Sequence, residues 1–265
     1  MSGQELAWDL PRMAALLGFQ RPCAHALSAV AGRGWAAEVT AELSLTGSAL
    51  SRFVTDLMTW GGQEYGFIEL PDELSGISSA MPQKKNYPVL ERIRGMTAHL
   101  SGYRFDVLLA QPATPFANMV EVSEEADRHV ATALATASTM LRLLTFVVEN
   151  LQFRAEPMRA ACAREFMGGF TLANRLCLRD AIPWREAQVV AGRYIVDALD
   201  RGLAPADIDP AAQAKVAAER GGRSPIRART LAGVFDVDAA LHEKITPGST
   251  ASDAVKAVFS SSRKP

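Results

Sequence analysis

The sequence has little of what builds the commonest binding sites. Only three of its 265 residues are cysteine, at positions 23, 162 and 177, far apart and odd in number. No Cys-x-x-Cys or Cys/His spacing of a zinc site occurs, and no disulfide framework is expected; reduced thiols in a cytoplasmic protein fit this usage. Neither charge sign is in excess: 28 Lys+Arg face 29 Asp+Glu, for a formal net charge of −1. A polyanion would therefore find no electrostatic footprint. Aromatics make up 7% of the chain, and the one basic run, Arg220, Arg223, Arg227 and Arg229, has none interleaved. No nucleic-acid partner is expected, and the run reads as a solvated loop. Long hydrophobic runs are missing as well. Polar residues interrupt each stretch before a membrane span is reached, and the N-terminus shows no basic segment followed by an apolar core. Neither a membrane partner nor a signal peptide is expected. Gly168-Gly169 lacks the frame of a dinucleotide site. Asp207 and Asp209 sit in a Pro-bounded loop and read as caps rather than metal ligands. The expected cofactor and metal content is none.

What the sequence does have is helix. Apolar residues are 48% and charged residues 22%, ordinary for a folded chain. Three segments carry apolar residues at a spacing of three or four. The first runs Val39, Leu43, Thr46, Leu50, Phe53, Leu57, Trp60; the second Ile93, Met96, Leu100, Tyr103, Val107; the third Val130, Leu134, Ala137, Leu141, Leu144, Val148, Leu151. Such seams predict near-parallel packing of long helices in a bundle, one that subunits can share. A Gly/Ser/Pro-rich loop from Gly61 to Pro88 separates the first two, and Gln111-Pro-Ala-Thr-Pro115 breaks the pattern before the third. After Arg154 the helices shorten, and one is expected over Ala187 to Leu199. The expected domains are 1–157, a helical bundle, and 158–265, a small helical domain.

The loop Ser75 to Asn86 reads SGISSAMPQKKN. Ser78 and Ser79 offer hydroxyls, Lys84 and Lys85 positive charge, and Asn86 an amide that both donates and accepts. This set suits a substrate with carboxylates: lysine attracts the anion, the amide orients it, and a serine of lowered pKa can take a proton. Residue chemistry alone leaves open a solvated Ser/Lys loop with no function.

The run GISSAMPQKKN resembles the signature of the fumarase/aspartase superfamily, Gly-Ser-Ser-x-Met-Pro-x-Lys-x-Asn, in the form usual in argininosuccinate lyases. Leu90-Glu91 and Ile93-Arg94 follow at the family's spacing. Upstream, Ser51-Arg52, Glu64-Tyr65-Gly66-Phe67, and Arg33 and Glu38 around Trp35 resemble further family runs. Gly248-Ser-Thr-Ala251 with Val255 resembles a Gly-Gly-Thr-Ala stretch, so the likeness extends from about Asp9 to Val255. The resemblance implies an all-α fold: a long-helix bundle that becomes a tetramer core, followed by a small helical C-terminal domain. It implies a lyase that removes an amine or hydroxyl from a succinyl compound and releases fumarate. By position, Ser78 resembles the catalytic base, Lys84 and Asn86 the residues that hold the carboxylate and stabilise developing charge, and Glu91 the carboxylate on the leaving-group side. Ser79 and Lys85 are expected to bind substrate beside them.

Departures from the family pattern modify that expectation. Family members are nearly twice as long, and two of their active-site runs, His-Thr-Gly-x-Ser-x-Asn-Asp and Thr-His-Leu-Gln, have no counterpart here. His25, His99, His129 and His242 stand in other contexts. The expected assembly is therefore hetero-oligomeric, with a partner supplying the N-terminal half. Ile77 replaces a glycine of the loop, and Tyr87 replaces a proline. Phe116-Ala-Asn-Met-Val-Glu-Val122 stands where the lyases recognise argininosuccinate with hydroxyl, amide and lysine groups. A different succinyl substrate is expected. The alternative is a catalytically inactive paralogue that serves as a structural or regulatory subunit.

Overall fold

A computed structural model describes residues 3–77, 80–81, 84–210 and 226–262. It divides into two compact units, Met1–Arg154 and Ala155–Pro265.

The first unit opens with two short helices, α1 (Leu10–Leu16) and α2 (Ala26–Ala31). Asp9 caps α1 by accepting from the Arg12 amide at 3.0 Å, and His25 caps α2 by accepting from the Leu27 amide at 3.1 Å. The bundle follows: α3 (Gly34–Trp60), α4 (Pro88–Leu109) and α5 (Val130–Asn150). It runs up, down, up. Ser44 on α3 meets Ser101 on α4 at 3.1 Å, Asp106 near the end of α4 meets His129 just before α5, and the ends of α3 and α5 are joined through Phe67. Val54, Leu57, Leu90, Ile93, Leu100, Met140 and Val147 form the core.

The second seam lies as expected, with Ile93, Leu100 and Val107 buried. The other two are rotated. On α3 the buried face is Ala36, Thr40, Ser44, Gly47, Val54 and Leu57, while Phe53 is 41% exposed. On α5 the buried face is Val130, Ala133, Ala137, Met140 and Val147, while Leu134, Leu141 and Val148 are about half exposed. The reason is steric. A Cβ on Gly47 would lie 3.2 Å from Leu100 Cδ1 and 3.3 Å from the Thr97 carbonyl oxygen. Helices that approach this closely need small residues at the contact, so on α3 Phe53 turns outward while Leu43, Leu50 and Leu57 still pack on the core beside it. A further correction concerns hydrophobic runs. The helical stretch Glu121–Asn150, with hydropathy 1.5, is long and apolar enough to cross a membrane. Its apolar residues occupy two faces, one of which packs on α3 and α4.

Where no strands were expected, two antiparallel pairs of two residues occur: β1 (Ile68–Glu69) with β4 (Gln152–Phe153), and β2 (Gly76–Ile77) with β3 (Lys85–Asn86). They are too short to show alternation in sequence.

The second unit contains α6 (Ala155–Arg164), α7 (Gly169–Asp180), α8 (Trp184–Asp200), α9 (Ala228–Leu231), α10 (Val237–His242) and α11 (Ser252–Ser262). Leu172, Leu176, Ala187, Ala191, Leu231, Val234 and Phe235 form its core. Arg175 on α7 is buried and pins the unit together. It donates to the Thr230 and Ala232 carbonyls at 2.9 and 2.7 Å and to the Glu243 carboxylate at 3.0 Å. Asp207 accepts from the Ala204 amide at 2.9 Å, the capping role expected of it. Arg227 and Arg229 each reach Asp180 at 3.5 Å; Arg220 and Arg223 lie outside the described residues.

Candidate active site

The signature loop is a hairpin mounted on the bundle end. Gly76 pairs with Asn86 and Ile77 with Lys85. Two close approaches hold its base. A Cβ on Gly76 would stand 2.9 Å from Pro88 Cγ, and one on Gly61 would stand 2.4 Å from the Tyr87 ring. Tyr87 is buried, and that burial pushes its phenol above its usual pKa. The residue that replaces the family's proline thus acts as a packing anchor between the end of α3 and the start of α4.

Electrostatics fix the returning strand. Lys85 Nζ lies 2.9 Å from Asp72 Oδ1 and 3.2 Å from Glu69 Oε1. The hydrogen bond to Lys85 holds the Asp72 carboxyl below the usual carboxylate range, and the Asp72 bond in turn raises Lys85. Lys85, expected to bind substrate, therefore already faces two carboxylates of its own chain. Lys84 is exposed just before β3, its amide donating to the Met81 carbonyl at 2.9 Å. Asn86 is half-buried in β3. Ile77 is extended, with its side chain 82% exposed. Ser78 and Ser79 lie outside the described residues.

Glu91 stands in the first turn of α4, exposed on the outward face. It lines a groove of about 430 Å³ with Arg92, Gly95 and His99. This groove leaves no mark in the sequence, because Gly95 reads as a weak point in a helix rather than as open space; apart from its own helix backbone and chain neighbours, no atom lies within 4 Å of a Cβ built there. His99 is eight residues from Glu91, about 12 Å of helix rise, so it does not pair with it. The other histidines are engaged elsewhere: His25 caps α2, His129 Nδ1 is 2.7 Å from Asp106 Oδ2, and His242 ends α10. Separation by 23 residues hid the Asp106–His129 pair from sequence reading.

The remaining family-like runs are structural joints. Gly66 adopts φ +57° between Tyr65 and Phe67. The turn lets the Phe67 amide donate to Trp60 and the Phe67 carbonyl accept from Arg154, both at 2.8 Å. Arg33 at the start of α3 lies 3.6 Å from Asp127. The segment expected to carry recognition enters a turn of π-helix, Glu121–Glu125, before α5.

The bundle capped by this hairpin is an all-α fold of the long-helix-bundle class. The chain belongs to the fumarase/aspartase superfamily, and its matches are to about half of each relative. The lyase family model matches residues 3–102. Argininosuccinate lyase of Moorella thermoacetica is 31% identical over 96% of this chain and 53% of that protein. Its counterpart in Thermus thermophilus is 32% identical over 94% of this chain and 52% of that protein. Among solved structures, an EDDS lyase variant with bound fumarate superposes with a TM-score of 0.81 at 26% identity, covering 98% of this chain and 52% of that one. The chain thus spans about half the length of the curated relatives it matches.

Proposed function

We propose that this chain carries the signature-loop half of a fumarate-forming lyase, completed by a separate subunit that supplies the N-terminal half. The observation that carries the reading is the hairpin, which delivers Lys84, Asn86 and Glu91 to the exposed end and outer face of α4. The substrate is a succinyl compound with an amine or hydroxyl leaving group. Ser78 takes the proton next to a carboxylate, and the electron pair moves into that carboxylate as an aci-acid. Lys84 and Asn86 hold and stabilise it. The pair then returns to form the C=C bond, and the leaving group departs with a proton delivered from the side of Glu91. Ser79 adds a hydroxyl, and Lys85, tied to Glu69 and Asp72, positions the base of the loop. Fumarate bound to the related EDDS lyase supports the product assignment. Argininosuccinate is not the substrate, because Phe116–Val122 offers few polar partners for a guanidinium-bearing end. The reduced cysteines favour the cytoplasm.

The assembly is read from exposed apolar surface. Leu134, Leu141 and Val148 on α5, and Leu6, Trp8, Leu16, Leu17 and Phe19 before α2, are each more than two-fifths exposed. Contiguous apolar patches of this kind mark contact surfaces. Fumarate release by the chain with a co-expressed N-terminal-half partner tests the proposal. Full activity of the chain alone, or none with any such partner, refutes the split assembly.

A second reading, a non-catalytic structural or regulatory subunit, is favoured by Ile77, whose β-branched side chain resists the backbone freedom a closing loop needs. The variant Ser78→Ala in the active assembly separates the two. Loss of turnover by at least about a hundredfold is expected of a base; unchanged turnover supports the second reading.

A further inference from the structure

The second unit holds a cavity that the lyase reading does not use. It has a volume of about 580 Å³ and lies between α7 and the segment that follows α10. Thr171, Asn174 and Arg179 line it from one face of α7, Lys244 lines it from the opposite wall, and Phe170 and Leu178 add apolar surface. Arg175 and the half-buried Glu243, an ion pair, also line it.

The charge of this lining does not balance. Glu243 is the one carboxylate among the lining residues, and Arg175 already donates to both of its oxygens at 3.0 Å. Arg179 Nη2 stands 4.0 Å from the same carboxylate, beyond a hydrogen bond, and its Nη1 donates to the Arg229 carbonyl at 3.4 Å. Lys244 Nζ donates to the neutral Thr171 hydroxyl at 3.1 Å. Three cations thus surround one anion, and the two less engaged cations face the same cavity as the Asn174 amide. Arg227 and Arg229 share the single carboxylate of Asp180, and neither lines the cavity. A ligand that fits must bring negative charge to Arg179 and Lys244, accept from Asn174, and place carbon against Phe170 and Leu178.

We propose that this cavity binds a small organic carboxylate. The fork of Arg179 takes one carboxylate through paired N–H donors, Lys244 adds a point charge, and the apolar wall distinguishes an organic acid from an inorganic anion. The site shares no residue with the signature hairpin.

Titration calorimetry of the full chain with succinate, at ionic strength matched with chloride, tests it. Saturable binding is expected, weakened at least about tenfold by Arg179→Gln and by Lys244→Gln, since each removes a charge-assisted contact. Leu178→Glu places a carboxylate at the mouth of the cavity from a residue 84% exposed, and should abolish binding with the fold undisturbed. Lys84→Gln removes the hairpin's proposed carboxylate contact and should leave in place the component of binding that Arg179→Gln weakens. Equal affinity in the Arg179, Lys244 and Leu178 variants overturns the proposal, as does binding no stronger than that of chloride. Tighter binding of inorganic phosphate than of succinate overturns the carboxylate assignment. Loss of binding in Lys84→Gln would place the ligand at the hairpin instead.

Discussion

Single atoms decide several positions here. A Cβ on Gly168 would fall 1.9 Å from the Val234 carbonyl oxygen and 2.8 Å from its carbon, and one on Gly169 would fall 2.7 Å from Ile195 Cδ1. Val234 is fully buried backbone that cannot yield cheaply, whereas the Ile195 methyl can turn. Gly168→Ala should therefore destabilise the second unit by about 3 kcal/mol or more, and Gly169→Ala by less, read as chemical-denaturation midpoints. Glu243 offers a test in pH. Hydrogen bonding from Arg175 holds its carboxyl below its ordinary value of 4.5. A depressed carboxyl contributes stability that is fully present above the unfolded pKa and is lost as pH falls through the folded one. The second unit should thus lose thermal stability below about pH 4.5. Glu243→Gln should flatten that acid limb, and at neutral pH it should cost about 3 kcal/mol by leaving the Arg175 charge buried without its partner.

Among the helices, periodicity located the elements but not always their faces. The spacing of Ile93, Leu100 and Val107 identified the core side of α4, because large residues fill that side. On α3 the same spacing marked Leu43, Leu50 and Leu57, which do pack on the core, and Phe53, which does not, while Ser44 and Gly47 make the closest approach to α4. Apolar spacing scores bulk, while close helix packing selects its absence. Gly47→Val should overpack this contact and lower stability of the first unit by about 1–3 kcal/mol, measured by urea unfolding. The hairpin was legible as a motif but not as a strand pair, since two residues per strand carry no period. Lys85 illustrates the limit within the candidate site. Its neighbours in sequence suggested a substrate contact, whereas Glu69 and Asp72, brought in by the fold, occupy its charge.

At the scale of the molecule, the two apolar faces of α5 are the main feature. One is buried in the bundle. The other, through Leu134, Leu141 and Val148, is open in the single chain and meets the length and hydropathy expected of a membrane span. If the proposed split assembly holds, its helices cover this face. Leu141→Lys with Val148→Lys should change the stability of the isolated chain by no more than about 0.5 kcal/mol, because both sites are half exposed. In native mass measurements the same pair should shift the proposed complex towards the free chain. An unshifted mass would mean that the face is not the contact.

The sequence by itself determined the helical class, the order of the long helices and the superfamily, because those rest on period and on contiguous motifs. It also named the residues of the candidate loop. Only the tertiary structure decided which helix faces touch, which charges are already paired, and where space remains. Those depend on groups far apart in the chain: Asp106 with His129, Arg175 with Glu243, and Gly168 against Val234. Local pattern carries no record of such distances, since only packing sets them.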